Sequence, residues 1–327
     1  MPRPKPRAPT KRRAPRPAPS RVATVAIIGR PNVGKSTLLN ALVGQPLAIT
    51  SHHPQTTRER ILGVHTEDGL QLVFTDTPGM HAPRNRLGEF MNQEAETAAS
   101  GGDIVVFVTD VGPKVAAEMR ADDLALLRGL PAKARVVLVL NKIDTVKAKS
   151  ALFPLLEAIG KAPLPSPFAE VIPISAKNQD GTARLIEVLR GMADEGPMLF
   201  DDETLSDRPT RFFVAEFVRE QLLRKTREEV PHGVAVAVER WSDVKGVPHI
   251  ELAFIVDKES HKKIVIGRGG ALLKEVGTRA RAKVESLMGQ HVHLKLWVRV
   301  VPRWYESPAK LAELGYALTT GTEGDEP

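Results

Sequence analysis

The stretch Gly29–Asn40, GRPNVGKSTLLN, follows the apolar run VATVAII at 22–28. It satisfies G-x-x-x-x-G-K-[ST] between a segment read as a strand and one read as a helix. Along Gly29, Arg30, Pro31, Asn32, Val33 and Gly34 the glycines let the chain curl until its N–H groups face one phosphate-sized space. The N-terminus of the following helix, with Thr37 in its first turn, adds positive potential there. Lys35 reaches the outer phosphates as a point charge, and Ser36 offers its hydroxyl to Mg²⁺. A strand–loop–helix of this kind belongs to an α/β domain.

Working outward, short Val/Ile-rich runs alternate with helical segments: ILGVHTE, LQLVFTDT, DIVVFVTD, RVVLVLNK and EVIPISA. That alternation predicts a mostly parallel sheet with helices on both faces. Asp68-Gly69 joins two of the runs as a two-residue hairpin, so one strand is expected to run antiparallel at or near the sheet edge. Three further motifs each close a predicted strand. In DTPG, Asp76 is placed to hold Mg²⁺ through a water, with Thr77, Pro78, Gly79 and then Met80 turning past the last phosphate. In NKID, Asn141 and Lys142 lead to Asp144, which can accept from both N1–H and the 2-amino group of guanine. Adenine offers neither proton, so such a site discriminates by roughly 10⁴. In SAK, the Ala176 N–H between Ser175 and Lys177 is expected to meet the guanine O6. Four motifs in this order at strand carboxyl ends predict a site for GTP or GDP with Mg²⁺.

SHHPQTTRERI (51–61) has the polarity of a nucleotide-sensing segment. Thr57, ahead of Thr56, is the expected Mg²⁺ ligand, with Ser36 and Asp76. Lys35, Asn32, Thr57 and Gly79 are the residues placed at the reacting phosphate. In Ras-type enzymes a Gln after DxxG orients the attacking water; Met80 cannot. Intrinsic turnover is therefore expected on the order of 10⁻⁴ to 10⁻² s⁻¹.

The net charge of +7 is unevenly spread: +8 over 1–21, −5 over 22–207, +8 over 208–305 and −4 over 306–327. A polyanion partner is thus expected on the second half. The first 21 residues are Pro/Arg-rich, with too little apolar surface to fold. This tail leaves open a nonspecific role toward RNA or anionic lipid, or none. The chain has no cysteine, which excludes thiol catalysis, thiolate metal sites and disulfides. No apolar run approaches a membrane span, and the basic start runs into prolines rather than a secretory apolar core. A cytoplasmic setting is expected.

An acidic, turn-rich linker at 201–210 separates residues 22–200 from a second domain at 211–305, itself followed by a helix and tail at 306–327. That second domain reads α-β-β-α-α-β, a sheet covered on one side by helices. In its last strand Val292, Leu294, Leu296, Val298 and Val300 share one face. Between two of its helices stands Ile266 followed by Gly267-Arg268-Gly269-Gly270. A GxxG turn admits the sugar–phosphate backbone of about four unpaired nucleotides, and Lys262, Lys263, Lys274, Arg279 and Arg281 add a positive field.

Together, GRPNVGKSTLLN, ITSHHPQTTRERILGVHTE, DTPGMH, NKID, PISAK, HKKIVIGRGGALLKEVGTRAR and VHLKLWVRV resemble the Era family of bacterial GTPases, from about Val22 to Tyr316. The resemblance implies a P-loop GTPase domain followed by an α+β type II KH domain. It implies binding to 16S rRNA near its 3′ end, a role in assembly of the 30S ribosomal subunit, and a GTP state that favours RNA. It also implies a monomer with peripheral association to the inner face of the plasma membrane. GTPases with similar PNxGKS loops use the Asn to hold a K⁺ in place of an arginine finger, which implies K⁺ at Asn32. Two other readings stand beside this one: an RNA-binding adaptor without turnover, and a membrane-surface GTPase.

Overall fold

The computed structural model describes residues 20–50, 56–79, 85–131, 133–162, 167–226 and 233–316. Most of the basic tail, residues 51–55 and Met80 lie outside these. In the first domain β1 (Arg21–Ile28), β2 (Ile61–Glu67), β3 (Leu70–Asp76), β4 (Ile104–Asp110), β5 (Arg135–Asn141) and β6 (Glu170–Pro173) form a sheet in the order β2-β3-β1-β4-β5-β6. All neighbours are parallel except β2 and β3. Asp68 and Gly69 make the hairpin with φ of 46° and 72°, the paired left-handed geometry of a type I′ turn. The antiparallel strand is at the edge, as the hairpin signal implied.

The strands are buried on both faces, and neighbouring residues of one strand feed different cores. Val25 and Ile27 of β1 pack with Leu38 and Leu39 of α1 (Lys35–Val43) and with Leu185 and Leu189 of α5 (Thr182–Met192). Ala26 and Ile28 pack on the other side with Phe107, Leu138, and Leu155 and Ile159 of α4 (Phe153–Lys161). α2 (Arg86–Gly101) and α3 (Ala121–Arg128) complete the domain. A two-residue strand, β7 (Asp194–Glu195), pairs antiparallel with the start of β1; two acidic residues carry no strand pattern, so it was not foreseeable.

The linker lies along the open edge of β2. Leu205 O accepts from Val64 N at 2.9 Å. Just ahead of the linker, the buried Gln71 side chain of β3 accepts from the N–H groups of Leu199 (2.7 Å) and Phe200 (3.0 Å) and donates to Phe200 O (2.9 Å). An edge strand left bare invites pairing with other chains; here the chain covers its own.

In the second domain α6 (Thr210–Leu223), α7 (Glu259–Ile266) and α8 (Ala271–Met288) cover one face of the sheet β10-β9-β8. Its strands are β8 (Val234–Val244), β9 (Val247–Val256) and β10 (His293–Val300). Val292, Leu294, Leu296, Val298 and Val300 all join this core, with Phe217, Val276, Val284 and Phe254. The sequence expectation of a sheet covered on one side holds for the domain's own first three helices. The reverse face is not bare, however. Ala235, Ala253 and Ile255 meet Leu87, Phe90 and Met91 of α2, together with Trp304, Leu311 of α9 (Pro308–Glu313) and Tyr316. No helix among the described residues is long and apolar enough to cross a membrane.

Candidate functional site

The carboxyl ends of the parallel strands surround a cavity of about 720 Å³. Pro31, Asn32, Gly34, Lys35, Ser36 and Thr37 line one side; Thr57, Thr77 and Gly79 line another; Asn141, Lys142, Asp144 and Lys177 line a third. Gly34 caps α1 with φ 103°, and a Cβ there would stand 2.3 Å from Asn141 Nδ2. Only glycine lets the loop and the NKID segment approach so closely. Lys35 Nζ donates to Gly29 O (2.9 Å) and Arg30 O (3.0 Å). Burial pulls its pKa down to about 8, against the attraction of Asp76.

Two of the residues named from the sequence are engaged by other parts of the protein. The Arg30 side chain turns from the cavity because two acids draw it: Nε donates to Asp123 Oδ1 at 2.7 Å and Nη2 to Asp110 Oδ1 at 3.0 Å. Asp110 also holds Lys142, whose Nζ reaches Asn32 O at 2.6 Å. Arg30 thus braces the loop instead of lining the site. The Ala176 N–H donates to Asn141 Oδ1 (3.0 Å), while Asn141 Nδ2 donates to Val33 O (2.8 Å). That amide ties three loops together. Val33 is fully buried, and Gly29, Asp76, Pro78 and Ser175 support the walls without lining them. Ser175 Oγ donates to Asp144 Oδ1 (2.7 Å), fixing the carboxylate that faces the cavity. Met80 lies outside the described residues.

The proposed metal ligands converge. Ser36 Oγ is 2.7 Å from Asp76 Oδ2 and 2.8 Å from Thr57 Oγ1, which is 3.3 Å from Asp76 Oδ2. Asp76 Oδ1 is buried with no hydrogen-bond partner among the described residues. Burial raises the Asp76 pKa to about 6 despite Lys35 and the hydrogen bonds it accepts. A buried oxygen donor set with an unsatisfied carboxylate oxygen suits a hard divalent cation.

The residues flanking Thr57 are held by the second domain. The Thr56 carbonyl accepts from Arg219 of α6, itself paired with Glu216. Arg58 Nη1 donates to Val234 O at 2.7 Å, and its guanidinium lies 5.7 Å from the Trp304 ring and 6.0 Å from that of Tyr316. Cavity-lining residues that sequence reasoning missed are Ile49, Thr50, Thr145 and Arg224. Ile49 and Thr50 open the stretch ITSHHPQTTRERILGVHTE and Thr145 follows NKID, whereas Arg224 comes from beyond the linker, so only three-dimensional proximity reveals it.

In the second domain the GxxG turn joins α7 to α8. Gly267 has φ 73°, and a Cβ there would meet Leu272 Cβ at 2.8 Å. Arg268 and Gly269 are exposed, with Lys263, Lys274 and Arg281, while Lys262, Ile266 and Gly270 are half-buried. Lys262, Lys263, Arg268 and Lys274 have no ion-pair partner among the described residues, whereas Arg279 pairs with Glu275, which also holds Lys225. Four unpaired cations around one turn concentrate positive potential there.

Residues 24–142 match the family model of the 50S ribosome-binding GTPases, and residues 229–305 match that of the KH domain. The chain is 45% identical to GTPase Era of Geotalea uraniireducens, over 89% of this chain and 96% of that one. Against GTPase Era of Leuconostoc citreum the identity is 43%, over 89% and 95%. A variant of Era from Aquifex aeolicus, solved bound to GDP·AlF₄⁻, superimposes with a TM-score of 0.85 at 37% identity, covering 91% of this chain and all of that one. Era solved in complex with MgGDPNP and nucleotides 1506–1542 of 16S ribosomal RNA gives the same TM-score at 36% identity, with the same coverage.

Proposed function

Because the chain belongs to the Era family of GTPases, we propose that its GTP cycle controls how the KH domain grips the 3′ end of 16S rRNA during assembly of the small ribosomal subunit. One observation carries the coupling. Thr57 meets Ser36 and Asp76, while its neighbours Thr56 and Arg58 are held by Arg219 and Val234 of the second domain. A segment gripped at both ends of three residues cannot shift toward or away from the last phosphate without altering those contacts. Each site therefore biases the other by the same free energy.

In this reading Lys35 and the loop N–H groups hold the phosphates, and Asp144 with Lys142 and Lys177 holds the guanine. Ser36 and Thr57, with Asp76, would hold Mg²⁺, which neutralises charge on the outer phosphates. The Gly79 N–H senses the last phosphate, and Asn32 lends a ligand to K⁺. The Asn32 backbone is in the left-handed region at φ 64°, and its carbonyl is fixed by Lys142, so the side chain springs from a rigid point. GTP hydrolysis is expected to run about tenfold or more faster in KCl than in NaCl, consistent with removal of one charge-stabilising group. Asn32→Ala is expected to erase the difference; equal rates in both salts would refute the K⁺ assignment.

The GxxG turn supplies the RNA contact, with Lys262, Lys263, Ile266, Arg268, Lys274 and Arg279 around it. A Cβ at Gly269 would have nothing within 4 Å, and its φ is 59°, a conformation Asp tolerates. Gly269→Asp is therefore expected to fold, to leave GTP affinity intact, and to weaken binding of a 3′-end rRNA oligonucleotide by about tenfold or more through charge repulsion. Unchanged RNA affinity in filter binding would exclude the turn from the interface. The decisive experiment titrates the whole protein with that oligonucleotide in a GTP analogue and in GDP. Tighter binding with the analogue supports the proposal, and equal binding defeats it.

A further inference from the structure

α6 belongs to the second domain, yet Arg224, the first residue past it, lines the same cavity as Lys35 and Asp144. Its Nη2 stands 2.7 Å from Glu220 Oε1 and 3.4 Å and 3.5 Å from Thr50 Oγ1 and Thr50 O. Thr50 has a defined place. Asn40, one turn along α1 from Ser36, donates to Ala48 O and accepts from Ala48 N, each at 2.8 Å. Ile49 and Thr50 therefore stand beside the first turns of α1, the phosphate side of the cavity.

We infer that Arg224 is a nucleotide-binding residue supplied by the second domain, its guanidinium meeting the ribose–phosphate segment of the guanine nucleotide. The inference rests on reading the cavity as the guanine-nucleotide site. Guanidinium and phosphate match in charge and in paired hydrogen-bond geometry. The contacts to Thr50 are at the outer limit of hydrogen bonding and, like the pair with Glu220, use Nη2, which leaves Nη1 and Nε to meet phosphate without breaking that pair. The guanidinium is also pre-aimed. Glu220 is almost wholly buried and is itself fixed from the other side by Lys283 of α8. Arg224 is about half exposed and belongs to none of the hydrophobic cores, and Glu220 keeps Lys283 as its partner without it, so the fold is expected to survive its loss.

The test uses the full chain and compares wild type, Arg224→Ala, Arg224→Lys and Lys35→Ala. Affinities for GDP and GDPNP are read by fluorescence titration, and that for guanosine by competition against a fluorescent GDP. Arg224→Ala is expected to weaken GDP and GDPNP by about tenfold, as for loss of a charged hydrogen bond, and to leave guanosine unchanged. Arg224→Lys is expected to restore only part of the loss. GDP affinity equal to wild type in Arg224→Ala would overturn the inference, as would an equal loss for guanosine, the mark of a prop for the cavity wall. A Lys35→Ala protein that binds GDP as wild type does would instead overturn the reading of the cavity.

Discussion

Asp144→Asn is expected to lower the affinity for GTP by about 10³-fold or more and to bring xanthosine triphosphate above GTP. In the proposed reading the carboxylate accepts two hydrogen bonds from guanine, and a site built to pair with such donors rejects an analogue that lacks them by about 10⁴. An amide in its place keeps an oxygen for N1–H but turns its N–H toward the guanine 2-amino group, so a donor faces a donor. It also offers a proton to the extra carbonyl of xanthine. The substitution leaves the position occupied, because Ser175 Oγ can donate to the amide oxygen as it does to Asp144 Oδ1. Competition among GTP, xanthosine triphosphate and ATP against a fluorescent GDP reads the exchange of preference. Retained selectivity for GTP would remove Asp144 from base recognition.

Trp304→Ala is expected to destabilise the protein by about 3–5 kcal/mol, the range for truncating a large buried aromatic side chain, and to lower Tm by about 10 °C. Trp304 is fully buried, its indole N–H donates to Gly233 O at 3.1 Å, and it packs with Phe90 and Met91 of the first domain. The loss falls on the seam between domains and removes the ring beneath Arg58. A single calorimetric transition is therefore expected to split, with the second domain melting first. Phe153, two-thirds exposed, provides the control, since Phe153→Ala is expected to stay within about 0.5 kcal/mol of wild type. Equal effects for the two would mean that the seam contributes nothing.

What could be read in the sequence followed from local pattern. The alternation of runs gave the parallel sheet, Asp68-Gly69 gave the antiparallel edge, and period-two spacing gave the inward face of β10. The cavity-lining residues Asn32, Lys35, Ser36, Thr57 and Asp144 sit in short local patterns at loop positions, so spacing along the chain was enough to pick them out. What escaped was set by distant chain. Nothing near Arg30 announces that Asp110 and Asp123 will draw its side chain away. Nothing near Arg224 links it to a cavity formed by residues 31 to 177. Arg58 looks like an ordinary polar loop residue, yet it is buried against Trp304 because a C-terminal segment returns to cover it. Ion pairs and aromatic contacts have no period to betray them, so such residues stay silent until the chain is folded.

The strip of chain fastened beside β2 also sets the length of the leash. Ser206 is secured to Leu62 O and α6 begins at Thr210, so three residues, Asp207 to Pro209, form the tether, reaching at most about 14 Å when fully drawn out. A lobe on so short a lead remains at an effective concentration of mM or more. Recapture after each release is therefore unimolecular, and dilution of the protein in the cell leaves its pace untouched.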